Sequence, residues 1–283
     1  MSALALRHKK IVCFGAGTGQ RQFLAALAKH HQDLGSITAV VATTDNGGHS
    51  GELRKEFNIP QVGDGRQCLL GLSRLSLTDP AFLRYDERHP ETGACGGNTL
   101  LADYTFRSGI RVAFDRAAAE LRCCGRVLPA TEANVQIVAH LTDGSAVTGE
   151  WDIIERIPRT PITHMSLSKA TYATPEVVSA IMEADVIVIC PGSFWTGVVS
   201  ALLPRNIREA ITASPARIVQ VVNLMTQPGV TDGWDAEEHI RRITPYLGRT
   251  PNAVVVNTGI IPESVITHYA ERDSQPIIFN GAR

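Results

Sequence analysis

Two hydrophobic patterns alternate along the chain. Short unbroken apolar runs are followed by stretches in which apolar residues recur at helical spacing. The first run, Lys10-Ile-Val-Cys-Phe14, ends in a glycine turn, Gly15-Ala-Gly-Thr-Gly19, and leads into a stretch with Phe23, Leu24, Leu27 and Ala28 on one face. Residues 37–43 form a second run. Both runs are too continuously apolar for a sheet wetted on one face, so the chain opens as β-turn-α-β with buried parallel strands.

The middle of the chain is less regular. Residues 64–75 predict a helix in which Asp64 is the N-cap and Gln67 completes a capping box. Residues 98–108 and 112–123 predict two more helices. Over 128–150 short strands are broken by Pro, Asn and the Asp143-Gly144 turn, a hairpin signal that reads as an antiparallel insertion in the main sheet. From Thr174 the alternation resumes: helix 176–184, strand 186–190, helix 198–213, strand 217–222, helix 236–244, strand 253–257 and helix 263–271. This order predicts an α/β fold, a three-layer Rossmann-like parallel sheet with helices on both faces. We expect one domain over 1–283, with a mixed α/β insertion at approximately 76–171.

Composition narrows the partners. The 283 residues carry 27 basic and 28 acidic side chains, a net charge of -1, which opposes a dedicated nucleic-acid binder. No apolar run reaches the roughly 18 residues of a membrane span, and the first ten residues lack a signal-peptide pattern. The six cysteines include no C-x-x-C pair, which predicts a reduced, cytoplasmic protein. Cys13 and Cys190, at the ends of apolar runs, read as small buried hydrophobes.

Candidate chemistry lies in the loops after the strands, where open parallel sheets bind ligands. In the first loop Gly15, Gly17, Thr18 and Gly19 offer backbone N–H groups to a phosphate at a helix start. Gln20 stands where a dinucleotide fingerprint needs its third glycine, so an NAD-dependent enzyme is the remotest alternative. In the second loop, Thr43-Thr-Asp-Asn-Gly-Gly-His-Ser-Gly51, Asp45 is a candidate Mg²⁺ ligand with Asn46 as a second oxygen, although the same residues make an ordinary turn. That loop reads as long and polar, without direct entry into a helix, and leaves His49 either on a phosphate or in solvent. Arg66 at a helix start is a candidate phosphate clamp, and Asp64 reads as a cap rather than an acid. Gly192, Ser193 and Thr196 follow a buried strand and form a second anion site, with Trp195 against a base or sugar or else in the core. The long polar loop 223–233 is a binding loop or lid in which Asn223 and Thr226 are placed to contact sugar or base. No hydrolase elbow or zinc spacing occurs, and no catalytic residue is singled out.

These loops together resemble one family, the bacterial gluconeogenesis factors and the related 2-phospho-L-lactate transferases. The resemblance rests on Gly15-Ala-Gly-Thr-Gly19, Thr44-Asp-Asn-Gly-Gly48, Gly63-Asp64 with Arg66, Gly97-Asn98, Val127-Leu-Pro-Ala-Thr131, Asp143-Gly144, Gly149-Glu150, Pro191-Gly-Ser193 and Asn223-Leu-Met-Thr-Gln-Pro-Gly229 with Thr231-Asp232. They occur in family order over roughly residues 10–270, and the Asn223–Gly229 string is similar to the gluconeogenesis-factor branch. The resemblance implies a Rossmann-like sheet with an inserted segment. For that branch it implies a cytosolic, UDP-sugar-binding protein needed for growth on gluconeogenic carbon and for normal cell shape. For the transferase branch it implies transfer of a phospholactyl group from a nucleotide-activated donor to a deazaflavin precursor, with Mg²⁺ on acidic residues of the second loop. It adds Thr44, Asn98 and Met225 to the candidate sugar or base contacts. The chain departs from the family pattern at Ala16, Asn46, Ala94 and Trp195, and its end at Arg283 predicts the loss of C-terminal ligand contacts. The expected function is thus a nucleotide-sugar-binding regulator of carbon metabolism and cell shape, with a Mg²⁺-dependent phospholactyl-type transferase as the alternative. Mg²⁺ is the one candidate cofactor, and a homo-oligomer is left open.

Overall fold

A computed structural model describes residues 6–279. The chain begins β1 (Lys10–Gly15), α1 (Gly17–Ala28), β2 (Ser36–Val41), α2 (Gly48–Phe57), α3 (Gly63–Leu72), α4 (Pro80–Asp86), α5 (Gly96–Ser108), α6 (Ile110–Glu120) and β3 (Arg126–Pro129). It continues β4 (Ile137–Leu141), β5 (Ala146–Thr148), α7 (Glu150–Glu155), β6 (Ile162–Leu167), α8 (Pro175–Glu183) and β7 (Val186–Ile189). The last elements are α9 (Ile207–Ala213), β8 (Arg217–Val221), α10 (Ala236–Leu247), β9 (Ala253–Val255) and α11 (Glu263–Ala270). No described helix is long and apolar enough to cross a membrane.

The main sheet has the order β3-β2-β1-β7-β8-β9, and every pair in it is parallel. Its inner strands β1 and β7 are apolar past their first residues because both faces are covered. Ile11 and Cys13 of β1 face a core containing Leu24, Leu69 and Phe114, while Val12 and Phe14 face a second core containing Val177, Val198 and Ile211. β7 divides the same way, with Val186 and Val188 on one side and Ile187 and Ile189 on the other. The expected three-layer α/β architecture is therefore present.

The chain runs from β1 outward through β2 to β3, then returns to β7 on the opposite side of β1. The β1/β7 boundary is thus a topological switch point, and a crevice opens beyond the carboxyl ends of those strands.

Gln20 explains how α1 seats on the sheet without the third glycine of a dinucleotide fingerprint. Its side chain is fully buried. Nε2 donates to the carbonyls of Cys13 (2.9 Å) and Val40 (3.2 Å), and Oε1 accepts from Cys68 Sγ at 3.2 Å. One amide therefore ties β1, β2 and α3 to α1.

The structure corrects several local expectations. The segment 128–150 is not an antiparallel insertion in the main sheet: β3 is the parallel edge strand of that sheet, and β4 pairs with β5 and β6 in a separate antiparallel sheet of order β5-β4-β6. Its inward residues Ile137, Ala139 and Leu141 join the second core. The helix expected over 198–213 is broken. A π-helical turn at Phe194–Val199 and a 3₁₀ turn at Ser200–Leu202 precede α9, because Pro204 cannot continue a helical hydrogen-bond ladder. The second loop does lead straight into a helix, since α2 starts at Gly48. Asp64 is not an N-cap: α3 begins at Gly63, and Gln67 accepts from Arg21 Nη1 at 2.8 Å instead of closing a capping box.

Replacing Gln20 with Ala removes these three bonds and opens a cavity in the core. We expect Gln20→Ala to lose about 2–4 kcal/mol, read as a lower urea midpoint at unchanged m-value.

Candidate functional site

Two glycine loops meet at the switch point. The first bends into α1 through Ala16, which is extended, and Gly17, whose φ of +59° suits a residue without a side chain. A Cβ on Gly19 would lie 2.2 Å from the Pro191 carbonyl oxygen, so only glycine lets this loop touch the one that follows β7. Asn223, after β8, clamps the other side of that second loop. Its Oδ1 accepts from the Gly192 N–H at 2.8 Å and its Nδ2 donates to the Gly192 carbonyl at 2.7 Å. The hydroxyls of Ser193 and Thr196 are paired at 2.8 Å.

A cluster of three carboxylates lies beside the first loop. Burial and the Asp45 carboxylate push Asp64 up to about 7, against opposing hydrogen bonds from Gln61 and the Gly17 N–H. Burial raises Glu150, at the start of α7, well above the ordinary range; Asp45 and Asp64 add to the rise, and a hydrogen bond from Thr196 opposes it. Asp45 accepts from the Gly47 N–H at 2.8 Å, which fixes the turn into α2.

Arg54 supports this group from behind. Its Nη1 donates to the carbonyls of Thr44 (2.6 Å) and Asp45 (3.2 Å), its Nε to Asn134 Oδ1 (2.8 Å), and its Nη2 to the Val135 carbonyl. Burial lowers its affinity for the proton while Asp45 and Glu150 restore part of it. Asn46 Oδ1 accepts from the Trp151 N–H at 2.8 Å and so joins the same loop to α7, next to Glu150.

The candidate residues divide between two cavities. One of about 200 Å³ gathers Gly17, Thr18, Asp45, Asp64, Arg66 and Asn98. The other, about 840 Å³, brings together Gly19, Gly192, Asn223, Met225 and Thr226, with Tyr269 on its rim. Gly15 sits at the end of β1 behind the first loop.

Several expected contact residues are engaged within the protein. Arg66 is 1% exposed and donates to Asn98 Oδ1 (2.7 Å) and the Tyr85 carbonyl (2.8 Å). Thr44 is buried with its hydroxyl 2.9 Å from that of Ser200. Thr226 is tied to the C-terminal segment, its Oγ1 accepting from the Gln275 N–H at 2.8 Å. His49 is not free in solvent: Nδ1 accepts from the Cys95 N–H at 3.1 Å. Trp195 is 1% exposed and packs edge-on to Phe194 and Trp234, so it belongs to the core and not to a base or sugar contact.

Sequence reasoning missed Arg54, Gln61 and Glu150 as site residues. Arg54 looks like an ordinary solvated helix charge. Glu150 carried a signal in the Gly149-Glu150 pair, where Gly149 takes φ +101° and turns the chain into α7.

Among the described residues, no three His, Cys, Asp or Glu side chains converge closely enough to cage a metal ion. The hard oxygens of Asp45, Asp64 and Glu150 nonetheless have the donor chemistry of Mg²⁺. That ion is usually held by one or two carboxylates together with water and substrate phosphates.

The profile of the 2-phospho-L-lactate transferase CofD family matches residues 11–283. The chain is 36% identical to the gluconeogenesis factor of Bacillus subtilis over 281 residues, covering 96% of this chain and 86% of that protein. A Deinococcus radiodurans relative, 35% identical over 98% of this chain, is longer, and the chain spans 59% of it. A crystal structure of a Bacillus halodurans protein superposes with a TM-score of 0.90 at 36% identity, covering 96% of this chain and 88% of that one. The chain belongs to the 2-phospho-L-lactate transferase CofD family.

The carboxylate cluster makes a prediction about stability. Folded, Asp64 keeps its proton up to about pH 7; unfolded, it loses it near pH 4. Between those values the folded state binds more protons, so its stability falls as pH rises through the window and stays lower above it. Asp64→Asn removes this dependence. Calorimetry is expected to show the Asp64→Asn variant melting roughly 5 °C above the parent at pH 8, with the gap closing by pH 4; a gap independent of pH contradicts the assignment.

Proposed function

We propose that this family member binds a nucleotide-sugar of the UDP-sugar class at the β1/β7 switch point and acts as a regulator of carbon metabolism and cell shape. The observation that carries the reading is the meeting of two glycine loops at one crevice, with three crowded carboxylates beside the first. Backbone N–H groups at Thr18 and Gly19, at the start of α1, bind one phosphate, and Ser193 faces the same ligand from the turn after β7. The larger cavity accommodates the sugar or base between Asn223, Met225 and Tyr269. The name of the Bacillus subtilis relative supports a role in gluconeogenic metabolism.

Asp45, with Asp64 beside it in the smaller cavity, would hold Mg²⁺ together with the diphosphate. Bound there, the ion supplies neutralising charge to the phosphate oxygens. The protein's own groups do the rest: Arg54 holds the loop that carries Asp45, Asn46 joins that loop to the helix carrying Glu150, and Asn223 orients the second glycine turn.

The same carboxylate group favours a second reading, a transferase that uses a nucleotide-activated donor. The family match supports it. Asn46 weighs against it, since its amide oxygen is committed to the Trp151 N–H.

Calorimetric titration with UDP-glucose, UDP and GTP, with and without Mg²⁺, tests both readings. We expect UDP-glucose to bind more tightly with Mg²⁺ present, Asp45→Ala to lose the Mg²⁺ effect, and Gly17→Val to lose binding because valine cannot adopt the left-handed backbone. No heat from any nucleotide at millimolar concentration refutes the binding site. Mg²⁺-dependent release of a nucleoside monophosphate, abolished in Asp45→Ala, establishes the transferase reading instead.

A further inference from the structure

A third cavity, of about 650 Å³, lies on the far side of the turn from the carboxylates. The wall between them is Asp45-Asn46-Gly47-Gly48. Asp45 lines the carboxylate side, while Asn46, Gly47 and Gly48 line this one. The adjacent pair on α7 divides in the same way: Glu150 interacts with the other carboxylates, and Trp151 lines the new cavity.

Trp151 is 55% exposed, unlike the fully buried Trp195. Its ring rests against the turn, with Cε3 3.0 Å from where a Cβ on Gly47 would be. Such a ring, supported on one side and open on the other, is a stacking platform.

Charge placement is the second observation. The chain has only five lysines, and two of them, Lys55 and Lys169, line this cavity. Lys9 and Lys10 are neutralised by Asp185 and Glu183. Among the described residues Lys55 and Lys169 form no ion pair, and Glu52 is the one carboxylate in the cavity wall. The Arg54 charge is not free to join them, because its donors are spent on the loop behind. Ser168 accepts from the Gln136 N–H at 3.1 Å, which leaves its own hydroxyl proton free to donate into the cavity.

We infer that this cavity is a binding site for a small acid bearing a planar conjugated ring, with the ring on Trp151 and the anion between Lys55 and Lys169. A ligand there shares the Asp45–Gly48 turn with the nucleotide site and stands where a second substrate or an effector of that site would. Only this last meaning rests on the nucleotide reading; the binding itself does not.

Pyridoxal 5′-phosphate is a suitable probe, since it carries a planar ring, a phosphate and an aldehyde. The aldehyde condenses with a lysine amine with loss of water, borohydride reduces the imine, and peptide mass spectrometry identifies the lysine. In the full chain without nucleotide, we expect Lys55 or Lys169 to be labelled at concentrations about tenfold below those needed for Lys9, Lys10 or Lys29. Trp151→Ala is expected to weaken labelling about tenfold and Trp151→Phe to retain it, as the loss of one ring-stacking contact of about 1.4 kcal/mol is a tenfold change. Equal labelling of all five lysines, or labelling unchanged in Trp151→Ala, overturns the site. If labelling holds while calorimetry shows no nucleotide binding, the nucleotide reading fails and this site stands.

Discussion

One buried guanidinium holds the candidate site in shape. Arg54 donates to two carbonyls of the β2 loop and to two acceptors in the segment that leads from β3 into the small sheet. Those connections bring Asp45 and Glu150, which lie more than a hundred residues apart in sequence, to the same place. The charge matters as much as the bonds. Three carboxylates in a partly dry pocket repel one another, and Arg54 is the cation between Asp45 and Glu150 that makes the arrangement tolerable. Its removal would leave unsatisfied carbonyls on two loops and an uncompensated acidic cluster, so its loss acts on structure and electrostatics together.

The sheet supplies the frame for this arrangement. Because both faces of β1 and β7 are buried, neither strand can slip or rotate without exposing one core or the other. The loops that leave their ends therefore start from fixed points. Gly19 then allows the two loops to touch, and Asn223 sets the second from the far side. The asymmetry is informative. The two loops share one close backbone contact, and the second is further held by the Asn223 amide; Thr226, on the wall of the larger cavity, is tied to residues 274–275. The larger cavity thus depends on the docking of the C-terminal segment, and the smaller one does not.

Most of the architecture was legible from hydrophobic pattern. Unbroken apolar runs can only be doubly covered parallel strands, and the order of runs and helical stretches dictated the layers. What was hidden depended on partners distant in sequence. Asp64 followed by Gln67 has the spacing of a capping box, yet Gln67 is drawn away by Arg21 and Asp64 lies among acids from other loops. The break in the helix after β7 follows from Pro204, which the apolar periodicity on either side concealed. The glycine loops could be recognised from their own residues. Arg54 could not, since a helical arginine is an ordinary surface residue until the fold brings it to the loop, and Glu150 was marked only by the Gly149 that precedes it.

The near-neutral charge of the chain takes on a specific meaning in this structure. Anion recognition by side chains would call on Arg54 and Arg66, but both guanidiniums are engaged in holding loops and helices. What remains at the switch point is backbone N–H at Thr18 and Gly19, since the Gly17 N–H goes to Asp64 and the Gly192 N–H to Asn223, beside a crowded group of carboxyl groups. In the proposed reading such a site holds a bare phosphate poorly, because its carboxyl groups oppose the attraction of its turns. It would favour, on that reading, a ligand that arrives with a compensating cation and buries a neutral sugar or base in the adjoining cavity. On the proposed reading the acidic cluster would act as a filter, selecting among phosphorylated ligands by what accompanies the phosphate, a discrimination that a basic patch could not make.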